Sequence, residues 1–253
     1  MRTYATILIT ILTALLLLPG CASRAPTIAH THIGHAMDGW PITPNQAGLF
    51  VTAENAAQAA VHAAEAATVA DRDLNRIKYN IAQVFSHTNP YYHGSEASSG
   101  KRQYGVKNAL AEAAQHVIFA AESPDASDNV RSSALQFSDN TNYVLARCDL
   151  VTLLGDEILN SASAEEASIL SNELLKLTRA NLDGDDSDGD GIIGSTPEEY
   201  GLTQLRTELQ ALIDREGPGY STVDTWYLFN LIKLDSGEWV FRRRGSSGYG
   251  SGY

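Results

Sequence analysis

From Ala53 to Ala67 the chain reads Ala-Glu-Asn-Ala-Ala-Gln-Ala-Ala-Val-His-Ala-Ala-Glu-Ala-Ala. Alanine loses no side-chain entropy on entering a helix, so this run is the strongest helix former in the sequence. Its small side chains also allow a neighbouring helix to approach closely. Leu74, Ile77, Ile81, Val84 and Phe85 keep three- and four-residue spacing, so helix continues or restarts to about His87, where Asn89-Pro90 stops it. Two more helices are expected, over about 105–122 and about 127–160, the first ended by Ser123-Pro124. The second is apolar at Val144, Leu145, Cys148, Val151, Leu154 and Ile158. Helical segments joined by short connections predict an antiparallel bundle over residues 49–160.

Residues 161–216 read as helix–loop–helix, with helices over about 164–181 and from Pro197 to about Arg215 around an aspartate-rich loop. Beyond Gly217-Pro218-Gly219, two apolar runs flank Asp235-Ser236-Gly237 and predict a short β-hairpin within 217–244. A helix over 224–233 competes with it. The tail 245–253 contains only Gly, Ser and Tyr and is expected to be flexible. Residues 22–48 carry prolines and glycines without an evident helical period and read as an irregular arm. The fold class is therefore mainly α.

The apolar share of 43% is that of a folded protein, and a net charge of −12 disfavours nucleic acid while suiting cations. At the N-terminus Arg2 precedes an apolar run from Ile7 to Leu18, long enough for an export signal and too short to span a bilayer. The run ends Leu18-Pro19-Gly20-Cys21, which resembles the lipobox of bacterial lipoproteins. The resemblance implies a signal peptide over 1–20, lipidation of Cys21, and a lipid tether and histidine-containing arm over 21–48. With Ala22 after the cysteine, it implies anchoring in the outer membrane on the periplasmic side. Cys148 is then the remaining thiol, expected to be a packing residue.

Asp186-Ser-Asp188-Gly-Asp190-Gly191-Ile-Ile193 has carboxylates at the first, third and fifth positions and glycine at the sixth. This resembles the start of an EF-hand calcium loop. Calcium takes six to eight oxygens, and alternate aspartates on a tightly turned backbone point them inward. The resemblance implies Asp186, Asp188 and Asp190 as side-chain ligands, the Ile192 carbonyl as a fourth, and Ile193 facing the core. The family's closing glutamate falls at the twelfth position, here Pro197. Thr196-Pro197-Glu198-Glu199 reads as a helix start with glutamate in its first turn, so a loop two residues longer is expected. Glu199 closes it, with Glu198 in reserve. Five carboxylates between Asp183 and Asp190 repel one another unless a counter-ion sits among them. A single such loop reads as structural.

His30, His32 and His35 stand close together in the N-terminal arm and suit zinc, copper or nickel. His62, His87 and His116 lie on helices and are further candidates, each able to supply a partner ligand. No Cys-x-x-Cys-His, His-Glu-x-x-His, phosphate loop or Gly-x-Ser-x-Gly occurs, so no catalytic residue is marked. The principal expectation is a lipid-anchored calcium-binding protein. A transition-metal carrier and a scaffold docking a protein partner through Tyr91-Tyr92-His93 or the tyrosine-bearing tail are the alternatives.

Overall fold

The computed structural model describes residues 27–70, 72–92, 103–216, 231–233 and 239–241. The expected export signal, Cys21, His93, residues 234–238 and the tail lie outside them. Thr27–Thr222 form one compact unit, built from seven α-helices among the described residues. They are α1 (Ile28–Met37), α2 (Leu49–Thr68), α3 (Leu74–Thr88), α4 (Val106–Glu122), α5 (Asp128–Asn160), α6 (Ala164–Asp183) and α7 (Leu202–Arg215). Single 3-10 turns occupy Pro44–Gln46 and Pro197–Glu199. In the second unit the described backbone is limited to β1 (Leu231–Lys233) antiparallel to β2 (Trp239–Phe241). None of the described helices is long and apolar enough to cross a membrane.

The alanine-rich helix α2 occupies the middle of the bundle. It packs against α3, α4 and α6 and touches α1, burying Ala53, Ala57, Ala60, Ala64 and Ala67. The small side chains are what allow so many neighbours along one rod. Helix does not run unbroken into α3. It ends at Val69, Arg72 adopts φ +60°, and the Asp73 carboxylate caps α3 by accepting from the N–H groups of Asn75 and Arg76. His62 and His87 therefore stand on separate helices, and the helix restarts before His87.

Two findings correct the expected organisation. Residues 28–37, read as part of an irregular arm, are helix: Thr27 caps α1, and Ala29, Ile33, Ala36 and Met37 are buried. Asp125 holds the start of this helix, accepting the N–H groups of Ile28 at 2.7 Å and Ala29 at 3.1 Å. The second correction concerns the division near residue 161. Leu202, Leu205, Leu209 and Leu212 of α7 share one core with α1, α2, α4 and α5, while α6 packs on α2 and α5. The helix–loop–helix is thus part of the bundle.

At one pole the first turn of α1 meets the residue that follows α7. His30 Nε2 lies 2.8 Å from Glu216 Oε2, and Glu216 Oε1 accepts from Ser127 and Asn129 at 2.6 Å each. Arg206 of α7 pairs with Glu54 of α2 and places its guanidinium 5.2 Å from the centre of the Phe50 ring.

Candidate metal centres

Among the described residues, two groups of side chains are arranged so that they can hold a metal ion, one acidic and one of histidines. The acidic group lies in the loop between α6 and α7. Gly184 ends α6 at φ +85°, and Gly189, Gly191 and Gly194 also take left-handed conformations at φ +75°, +83° and +89°. Such values are costly for any residue with a Cβ. Gly191 is the bend expected at the sixth loop position. Its N–H donates to Asp186 Oδ2 at 3.0 Å, the Asp190 N–H donates to Asp188 Oδ1 at 3.0 Å, and the Ile192 N–H donates to Asp190 Oδ1 at 2.7 Å. The aspartates thus fold the loop locally, each through a short side-chain-to-backbone bond.

One carboxylate oxygen each from Asp186, Asp188 and Glu199 come within 4.8 Å of one another. Glu199 has no exposed surface, and Asp186 Oδ1 is buried with no hydrogen-bond partner among the described residues. Glu199 is also the hub of the loop. Its Oε1 accepts the Ser187 and Asp188 N–H groups, and its Oε2 accepts from the N–H groups of Gly194 and Ser195 at 3.0 Å each, the Ser195 hydroxyl and the Thr196 N–H. Burial pushes this carboxyl's pKa up, but the donated hydrogen bonds outweigh it and hold the pKa below the usual range.

The structure also redraws parts of the expected ligand set. Asp190 is outside the cluster, its carboxylate turned to the Ile192 N–H. The Ile192 carbonyl accepts the Ser195 N–H at 3.3 Å. Ile193 is 47% exposed instead of facing the core, because it lies over Gly184 at the rim of the loop. Glu199 sits in the isolated 3-10 turn Pro197–Glu199, not in α7. Extended backbone at Tyr200 separates the two, and α7 begins only after Gly201. Glu198 is directed elsewhere: its carboxylate accepts from the Tyr143 hydroxyl and raises that phenol's pKa, chiefly by charge.

One residue that the sequence did not mark holds this loop to the bundle. Arg147, on α5, donates through Nη1 to the carbonyls of Ala180 at 2.9 Å and Tyr200 at 2.8 Å, and through Nη2 to that of Glu198 at 2.6 Å. A planar fork of donors suits three carbonyls converging from two strands of chain. Burial lowers the pKa of this guanidinium, with Asp185 opposing the shift. Next to it Cys148 is fully buried, its thiol pushed up to about 12 by burial, as suits a packing residue.

The histidine group is assembled from α1 and α4. His32 and His35 are one turn apart on α1, and His116 reaches them from α4, with Nδ1 of His32 3.1 Å from Nδ1 of His116. The three rings offer nitrogens within 4.8 Å of one another. Trp40 packs against His35 and His116 at centroid distances of 4.5 and 4.8 Å, and Phe119 lies 5.6 Å from His32. Burial holds the pKa values of His35 and His116 down to about 4, with repulsion from the neighbouring imidazoles adding to it. Burial also lowers that of His32, against the attraction of Asp125.

The other histidine candidates are elsewhere. His30 is turned to Glu216, and His62 is exposed beside Glu65. His87 is half-buried, with its pKa lowered by burial, and joins neither group. The triplet expected from adjacency thus contributes two of its members, and the third comes from a helix 84 residues away from His32. In the loop after α3, Tyr92 stacks on Phe85 and Tyr91 accepts the Gln103 N–H. No family model, curated protein or solved structure matches the chain.

Proposed function

We propose that this chain is a lipid-anchored cell-envelope protein that binds one calcium ion in the loop between α6 and α7. The observation that carries this reading is the convergence of Asp186, Asp188 and Glu199, with the buried Asp186 Oδ1 lacking a hydrogen-bond partner among the described residues. Burying a carboxylate oxygen with nothing to accept from is costly, and a cation removes that cost. Opposite oxygens on a calcium ion lie about 5 Å apart, twice a bond of 2.3–2.6 Å, which accommodates the observed spacing. Oxygen donors alone favour a hard cation over zinc or copper.

In this reading Asp186 and Asp188 supply the principal ligands and Glu199 one oxygen, with water and backbone carbonyls completing the shell. The ion braces the joint between α6 and α7, so its role is structural. The lipobox resemblance supports export and acylation at Cys21, and the EF-hand likeness supports calcium over other hard ions. The C-terminal hairpin belongs to the same reading of the chain.

Calcium is expected to bind the untagged protein with one-to-one stoichiometry in titration calorimetry and to raise its melting temperature. At a hundredfold excess over Kd the gain is about 2.7 kcal/mol. Asp188→Ala removes both signals, whereas Asp183→Ala, outside the cluster, keeps them. Neither heat nor a melting shift at millimolar calcium would overturn the assignment.

A further inference from the structure

We infer that His32, His35 and His116 form a second metal site, independent of the acidic loop, for a divalent late transition ion of the zinc class. It is built on two elements: α1 presents two imidazoles one turn apart, and α4 presents the third across the helix interface. Ligand nitrogens from all three lie within 4.8 Å of one another. The 3.1 Å separation of the His32 and His116 Nδ1 atoms is close to the edge of a tetrahedron with bonds of 2.0–2.1 Å, about 3.3 Å.

A hydrogen bond between two imidazoles accounts for one pair of atoms only, and three rings converge here. His35 meets His116 edge-on at a centroid distance of 4.9 Å and His32 at 5.8 Å, so the rings surround a common point. Trp40 and Phe119 wall this point with aromatic surface. Three nitrogen donors without a carboxylate or thiolate in the group favour zinc, copper or nickel over calcium and magnesium. Three protein ligands leave the fourth position of a tetrahedral ion open to water or an exogenous ligand. All three rings are only half-buried, which gives that ligand a route in. An ion held here bolts α1 to α4.

The test is a zinc titration of the untagged full-length protein carrying Asp188→Ala, with excess calcium present, so that the acidic loop cannot contribute. One equivalent is expected to bind and to raise the melting temperature. His116→Gln and His35→Gln each lower the affinity at least tenfold, and His62→Gln leaves it unchanged. Unchanged affinity in both site variants, or its loss in His62→Gln, would overturn the site. Cobalt(II) added to the otherwise unaltered Asp188→Ala protein provides a measurement that needs no histidine variant. Intense visible bands of a four-coordinate nitrogen site support the inference, and the weak bands of the six-coordinate aquo ion refute it.

Discussion

Replacing Arg147 with methionine removes a clamp while keeping most of the aliphatic stem. The guanidinium binds three backbone carbonyls, Ala180 at the end of α6 and Glu198 and Tyr200 just before α7. Each hydrogen bond from a charged donor contributes roughly 1.5–3 kcal/mol. Simple addition overstates the loss, because part of this region faces solvent and water can replace the fork at Glu198 and Tyr200. The expected destabilisation is roughly 2–4 kcal/mol, a fall in melting temperature of about 6–12 °C for a chain of this size. Arg147→Lys should fall between the two, since an ammonium group cannot reach all three carbonyls in one plane. Urea unfolding of the three proteins in chelator measures this directly. Because the clamp also sets the separation of the loop's ends, calcium affinity should fall in the same order. A methionine variant within about 0.5 kcal/mol of the wild type would refute the clamp as a source of stability.

Two glycines in the loop region test different physics. An added Cβ at Gly191 meets nothing within 4 Å, so Gly191→Ala costs only the left-handed strain at φ +83°, about 1–2 kcal/mol. At Gly201 the same atom overlaps the Gly184 amide nitrogen and lies 2.8 Å from the Ala180 oxygen, so the backbone must shift. Gly201→Ala should therefore be the more destabilising in urea, and the reverse order would count against the packing described. The histidine cluster predicts acid sensitivity in the absence of metal. Folded pKa values of about 4 for His35 and His116 lie below the unfolded value near 6.5, so the unfolded chain binds more protons between them and stability falls as pH drops through that window. Half-exposure screens the effect to about 1–2 kcal/mol for the pair. Unfolding midpoints from pH 7 to pH 4 should show a shallower slope in His116→Gln than in the wild type, and equal slopes would contradict it.

Much of the bundle was legible because its helices advertise themselves through alanine content, three- and four-residue spacing and proline stops. The acidic loop was legible as far as Asp186, Asp188 and the bend at Gly191, since these act within a few residues of one another. Its far end was harder. Thr196-Pro197-Glu198-Glu199 looks like the start of α7, yet Gly201 restarts the helix and leaves Glu199 on a separate turn. The first helix was hidden by its neighbours: Ala29, Ile33, Ala36 and Met37 have helical spacing, but prolines and glycines on both sides mask it. His116 stood in the sequence as one of three helix histidines with nothing local to choose it, and Arg147 was not marked at all. The first meets His32 only through tertiary packing, and the second binds backbone carbonyls, which leave no signature in side-chain spacing.

The contact of His30 with Glu216 brings the start of α1 and the end of α7, and so the two ends of the helical bundle, together. A body threaded in this way can be grafted between two adjacent positions of a host protein's surface turn without stretching either junction. Joining its ends with a short linker and opening it at another turn is likewise compatible with the packing, and the short connection between α2 and α3 is a natural place to cut. The same geometry makes the pole a mechanical fuse: force applied across the two ends loads the polar contacts of His30, Asp125 and Glu216 before it reaches the alanine-packed interior.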